Sequence, residues 1–245
     1  MSDNQVSPAA PPAQQSASFK EGILGLLNVY IDPASTARRV QLKWFWVYPL
    51  IVMSVVMVIC QLQLVPFTIQ AMRVDPPGNM SGMSGAQLQQ ALSMTEKITT
   101  IVAYLLPIFI LGFTALAALL VVAMGSIVGA RAKFSHVLGL LLACGMITIL
   151  QMIASVIVLK QKGLDDIQSM HQLQVPFGLD IFINATGALG GLLNFFSIFM
   201  IWNIVIMVLS YAKLAKVSYG KAFFATLPPW VLGMLFTVLG AAFRK

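Results

Sequence analysis

Charge is what this sequence has least of. Only 9% of its residues are Asp, Glu, Lys or Arg, where soluble domains carry about a quarter. Acids are scarcer than bases, eight against fifteen. There are two cysteines and two histidines. The shortage of charge argues against a soluble enzyme, and the 58% hydrophobic content argues against a disordered tail protein. Two cysteines are too few for a disulfide scaffold. A mean hydropathy of +0.86 leaves a polytopic membrane protein.

The placement of the few charges makes this specific. Residues 44–72, 98–130, 134–159, 181–212 and 222–243 contain no charged side chain. Each exceeds the roughly 20 residues needed to cross about 30 Å of hydrocarbon. A charge at the bilayer centre costs at least about 2.5–3.5 kcal/mol, so segregation is the expected outcome. Backbone polar groups must pair within the chain in lipid, which makes the spans helices. The expected spans are 44–66, 98–124, 134–159, 182–209 and 222–243. The fold class is all-α, a five-helix transmembrane bundle.

Five spans put the termini on opposite sides. The N-terminal side has nine bases: Lys20, Arg38, Arg39, Lys43, Arg131, Lys133, Lys213, Lys216 and Lys221. The other side has six: Arg73, Lys97, Lys160, Lys162, Arg244 and Lys245. The positive-inside rule then sets the N-terminus in the cytoplasm and the C-terminus outside. The net charge of +7 does not point to nucleic acid, because the bases are juxtamembrane and match anionic headgroups.

Residues 1–18 are rich in Ser, Ala, Pro and Gln and read as a disordered tail. They lack the basic and apolar regions of a signal peptide, so the first span is expected to target the chain. Residues 19–43 read as interfacial helices. In FKEGILGLLNVY, Phe19, Ile23, Leu26, Leu27 and Tyr30 recur at helical spacing on a segment too short to span. Such a helix suits the headgroup region. Asp32 is a good N-cap and Pro33 a good first helical residue, so a second helix starts there. It carries Arg38 and Arg39. An interfacial anchor is the first reading of this arm, and a partner-docking surface the second.

Residues 44–245 form the five-span domain. The outer loop 67–97 carries VDPPGNMSGMSG, which is turn chemistry. From Ser84 the sequence reads as helix, so span 2 begins well outside the membrane as one long helix. Gly125 and Gly129 (GSIVG), and Gly187 and Gly191 (GALGG), have the spacing that lets helices approach closely in lipid. Packing within the bundle is the first reading, homo-oligomerisation the second. Asn184, Thr186, Asn194 and Asn203 in span 4 and Gln151 in span 3 are expected to bond across helices. A ligand or ion path is the sharper alternative. Pro66, Pro107, Pro228 and Pro229 are expected to end or kink helices.

The spans offer no acid, base, nucleophile or metal cluster that catalysis or proton coupling would need. His136 and His171 lie on opposite sides in this topology. Cys60 and Cys144 sit within spans as small hydrophobes. No cofactor, metal or enzymatic activity is expected.

Three stretches resemble one family. They are LLNVYIDPASTARRV (26–40), GARAKFSHVLGLLLACGM (129–146) and NFFSIFMIWNIVIMVLSYAKLAKVSYGKAFF (194–224). The last carries Phe199-x-x-Trp202 late in span 4 and Lys221-Ala222 entering span 5. With the five spans they resemble the Ypt/Rab-interacting (Yip) membrane proteins, in their prokaryotic branch. The resemblance implies a five-helix bundle, a cytoplasmic N-terminus and no catalysis. It also implies an adaptor or membrane-organising role in contact with the lipid bilayer. The Asp-Leu-Tyr-Gly-Pro element of eukaryotic relatives is absent, which argues against GTPase binding. The expected location is the bacterial inner membrane. A passive channel, permease or transporter subunit, with its path along span 4, is the alternative function.

Overall fold

The computed structural model describes residues 16–78, 80–179, 182–183 and 187–242. Eight α-helices are described: α1 (Phe19–Asn28), α2 (Pro33–Arg39), α3 (Val47–Val74), α4 (Gly85–Ile127), α5 (Phe134–Lys162), α6 (Gly187–Phe195), α7 (Ile198–Ala215) and α8 (Tyr219–Ala242). Among the described residues the β pairing is confined to one isolated bridge, Ser16 to Lys43. Five helices, α3, α4, α5, α7 and α8, are long and apolar enough to cross a membrane. Their outward faces carry large apolar side chains, among them Ile59, Ile108, Phe113 and Phe236. That is the pattern of a bundle solvated by lipid rather than by water.

The expectation of one long second helix is met. Ser84 accepts the Gln87 N–H, and Gln87 returns a bond to the Ser84 backbone. This capping box starts α4. At 1.5 Å per residue its 43 residues reach about 64 Å, twice the hydrocarbon thickness. α5 is the central helix, with Val137, Leu140, Leu142, Ala143 and Ile147 fully buried.

None of the four prolines ends its helix. α3 runs through Pro66 to Val74, past the expected end of span 1. Pro107, Pro228 and Pro229 also lie inside helices. A proline removes one helical bond, whereas ending the helix in hydrocarbon would strand several backbone groups. Beyond Pro66, Phe67 and Ala71 are held by Leu159 of α5 and by Ile167, in the loop after it.

Span 4 needs a correction. Residues 182–209 are not one helix. Phe182 lies in a turn, and the chain breaks at Phe196 and Ser197 between α6 and α7. Ser197 is extended, with φ −70° and ψ 158°, and its side chain accepts the Met200 N–H. Its hydroxyl also donates to Gln151 Oε1 at 3.1 Å. The Phe177 carbonyl takes the Ile198 N–H at 3.0 Å. Side chain and loop thus satisfy the groups that the break frees, which is the condition for interrupted helices at membrane depth. Span 5 starts at Tyr219, three residues earlier than expected.

Candidate functional site

The N-terminal arm is the part of the sequence expected to meet partners or lipid, and its construction can be followed residue by residue. Ser18 caps α1. Its hydroxyl accepts the Glu21 N–H at 3.3 Å, and the Glu21 carboxylate accepts the Ser18 N–H at 2.9 Å and its hydroxyl at 3.0 Å. These bonds from Ser18, backbone first, hold the Glu21 carboxyl below its ordinary value of 4.5, and the nearby Arg39 adds to this. A lowered folded value means the box is complete at neutral pH. It is lost as pH falls from the ordinary value through the lowered one. Acidification below pH 4.5 is expected to fray the first turn of α1, seen as faster hydrogen exchange there. In Ser18→Ala that turn is expected to exchange fast already at pH 7.

Asp32 and Pro33 behave as the sequence predicts. The Asp32 carboxylate accepts the Ser35 N–H at 3.0 Å, and Pro33 opens α2. Asn28 donates to Ser35 Oγ at 2.9 Å across the turn. Arg39 then ties the two helices, donating from Nε to Ser35 Oγ at 3.3 Å and from Nη1 to the Glu21 carbonyl at 3.2 Å. Arg38 is exposed and, with Glu21, Ser35, Arg39 and Leu42, lines an open cleft. The arm is a helical hairpin with Lys20, Glu21, Arg38 and Arg39 at the open end and Asp32 in the turn.

The hairpin docks on the bundle. Val29, Val40 and Phe45 are buried, joining the core of α5 and α7 with Leu26. The Tyr30 hydroxyl donates to the Met146 carbonyl of α5 at 3.0 Å. Its ring lies 5.8 Å from the Trp202 ring of α7. The Tyr48 hydroxyl donates to the Ala17 carbonyl at 3.1 Å. The face of five apolar residues expected on this segment is therefore split. Leu26 and Tyr30 turn inward, while Phe19, Ile23 and Leu27 stay exposed.

Two docking residues carry no charge or bulk and escaped sequence reasoning. A Cβ on Gly22 would meet the Tyr48 ring at 2.5–2.8 Å, and one on Gly25 would overlap the Phe45 ring. Glycines three apart on a short helix, which put two small residues near one face, were the available signal.

The candidate packing residues divide. Gly125 makes room for the Tyr211 hydroxyl, which donates to the Ala130 carbonyl at 2.6 Å. Gly129 lies beyond the end of α4 with φ +73°, and a Cβ there would approach only Lys221 Nζ, at 3.9 Å. It is a turn glycine, needed for its left-handed backbone rather than for helix packing. Gly187 opens α6, and Gly191 is buried on it. α6 packs on α8. Asn194 is in α6 and Asn203 in α7, so the break separates the two amides. Asn184 and Thr186 lie outside the described residues. His136 starts α5 and His171 follows its far end.

Asn203 fulfils the expectation of interhelical bonding. Its Nδ2 donates to the Cys144 carbonyl of α5 at 2.7 Å. Asn203→Leu is expected to cost about 0.6–1.7 kcal/mol, the range for such bonds in membrane proteins. A lowered unfolding temperature in detergent checks this.

The sequence model of the Yip1 domain matches residues 27–240, from the end of α1 almost to the end of α8. No curated protein and no solved structure gives a match to the chain. The domain match takes in α2, the turn before it and all five apolar helices, and the chain therefore belongs to the Yip family of integral membrane proteins.

Proposed function

We propose that this Yip-family chain is a non-enzymatic adaptor or membrane-organising factor of a bacterial inner membrane, with its N-terminus in the cytoplasm. The excess of bases beside α3, the α4–α5 turn and the α7–α8 turn supports that orientation. The observation that carries the proposal is the docking of the arm. Tyr30 bonds the hairpin to the bundle and Arg39 ties its two helices together, so a partner held at its charged end would be held rigidly relative to the membrane. Lys20 and Arg38 are exposed there and supply the polar part of the surface.

Deleting residues 19–43 would strip Leu26, Val29 and Val40 from the core and so test folding rather than binding. Charge reversal at exposed positions separates the two. In purification from native membranes in mild detergent, Lys20→Glu with Arg38→Glu is expected to lose a partner that the unaltered chain retains. The variant should remain monodisperse. Unchanged recovery would sink the adaptor role. A channel path along span 4 would need a lining other than Asn203, whose amide donates to the Cys144 carbonyl.

A further inference from the structure

We infer that α1 and α2 form a re-entrant hairpin whose turn, residues 29–32, is sunk among the lipid acyl chains of the leaflet on the N-terminal side. The depth follows from register. α3 and α5 lie side by side in the same direction: Met53 lies against Gly145, and Phe67 packs with Leu159. Phe45 and Trp46, where α3 is about to begin, sit at the level of Gly139. Val40, which closes α2 at the open end of the hairpin, also lies against Gly139, so the open end is near that level. Tyr30 is bonded to Met146, seven residues further along α5. That is about 10 Å deeper at 1.5 Å per residue. Met146 lies midway between Phe134 and Leu159, the ends of the charge-free part of α5. The turn is therefore level with the middle of a segment built to cross hydrocarbon.

The side chains match this placement. The hairpin's outward residues are Phe19, Ile23, Leu24, Leu27 and Ile31, and the one nearest the tip, Ile31, is the most exposed at 82%. In water they would form an apolar stripe; at this depth the bundle's neighbours are acyl chains. Lys20, Glu21, Arg38, Arg39 and Lys43 are all at the open end, where headgroups and water can solvate them. Asp32 is the single charged residue in the turn, and its carboxylate is bonded to the N-terminus of α2. A helix lying flat in the headgroups would have no reason to separate its charges from its most exposed isoleucine in this way.

The test needs no partner protein, so it does not share the fate of the adaptor proposal. Single cysteines are introduced as Ile31→Cys, Leu27→Cys and Lys20→Cys and labelled with bimane. Cys60 and Cys144 are buried, and the unaltered chain measures their background. Ile108→Cys, on the exposed face of α4, is the lipid reference. The chain is reconstituted in phosphatidylcholine–phosphatidylglycerol vesicles. The probe at 31 is expected to lose more fluorescence to spin-labelled lipid with the label at mid-chain than in the headgroup, and to resist iodide. The probe at 20 should show the reverse order. Strongest quenching of residue 31 by the headgroup label would mean a surface helix and overturn the inference. Quenching by iodide without lipid quenching would mean a water-exposed protein-docking surface and overturn it too. Size-exclusion profiles matching the unaltered chain confirm that each exposed-site variant is folded.

Discussion

Replacing Gly25 with valine is expected to undock the N-terminal hairpin. The new Cβ would enter the space of the Phe45 ring. Phe45 is 1% exposed and is backed by Gly139 on α5, so the ring has nowhere to move. Overpacking of this kind costs about 1–3 kcal/mol, and the two added methyls deepen the overlap. The hairpin's other anchors are chiefly Leu26, Val29, Val40 and the Tyr30 bond to Met146, few enough for the loss to fall on the whole unit. Limited proteolysis should cut residues 19–43 in Gly25→Val and spare them in the unaltered chain. Gly22→Val should have a smaller effect, because the Tyr48 ring it would strike is only half-buried. Leu24→Val, on the exposed side of the same helix, should have almost none. Equal protection in all three variants would refute the docking account.

Gly125→Ala is expected to destabilise the bundle where α4 ends. The Tyr211 side chain is fully buried and its hydroxyl donates to the Ala130 carbonyl. The Ala130 N–H in turn bonds the Gly125 carbonyl at 2.6 Å, closing the turn between α4 and α5. A Cβ at 125 would lie on the Tyr211 hydroxyl and 2.6 Å from the Ala130 oxygen. Tyr211→Phe removes only the hydrogen bond and should cost about 1–3 kcal/mol for the deserted carbonyl. Gly125→Ala both displaces that hydroxyl and crowds the turn, so its loss should be the larger. The double variant should be less unstable than the sum of the two, since deleting the hydroxyl frees part of the space the methyl needs. Thermal unfolding of the four proteins in one detergent gives the cycle. Strict additivity would show that residues 125 and 211 do not share that space.

The parts legible from the sequence were those that depend on one side chain's chemistry or on its place in a run. Lys and Arg cannot enter hydrocarbon cheaply, so charge-free runs announced all five spans, and α4, α5 and α8 lie close to the expected limits. Asp32-Pro33 announced α2, and Ser84 announced the start of α4, because a cap is a local bond between near neighbours. The hairpin's amphipathic spacing was legible too, but not which of its apolar residues face the bundle.

Other features depend on what lies far away in the chain. The break at Ser197 is stable because Gln151 and Phe177 arrive to satisfy it. Pro66 is tolerated because Leu159 and Ile167 hold the helix beyond it. Gly129 looked like a packing glycine by spacing, and only the end of α4 at Ile127 makes it a turn. Gly22 and Gly25 matter because aromatic rings from residues 45 and 48 press on them. Hydropathy and capping act along the chain and can be read from it. Partners for freed backbone groups, and room for a ring, come from segments tens of residues apart, and only the packed bundle decides them.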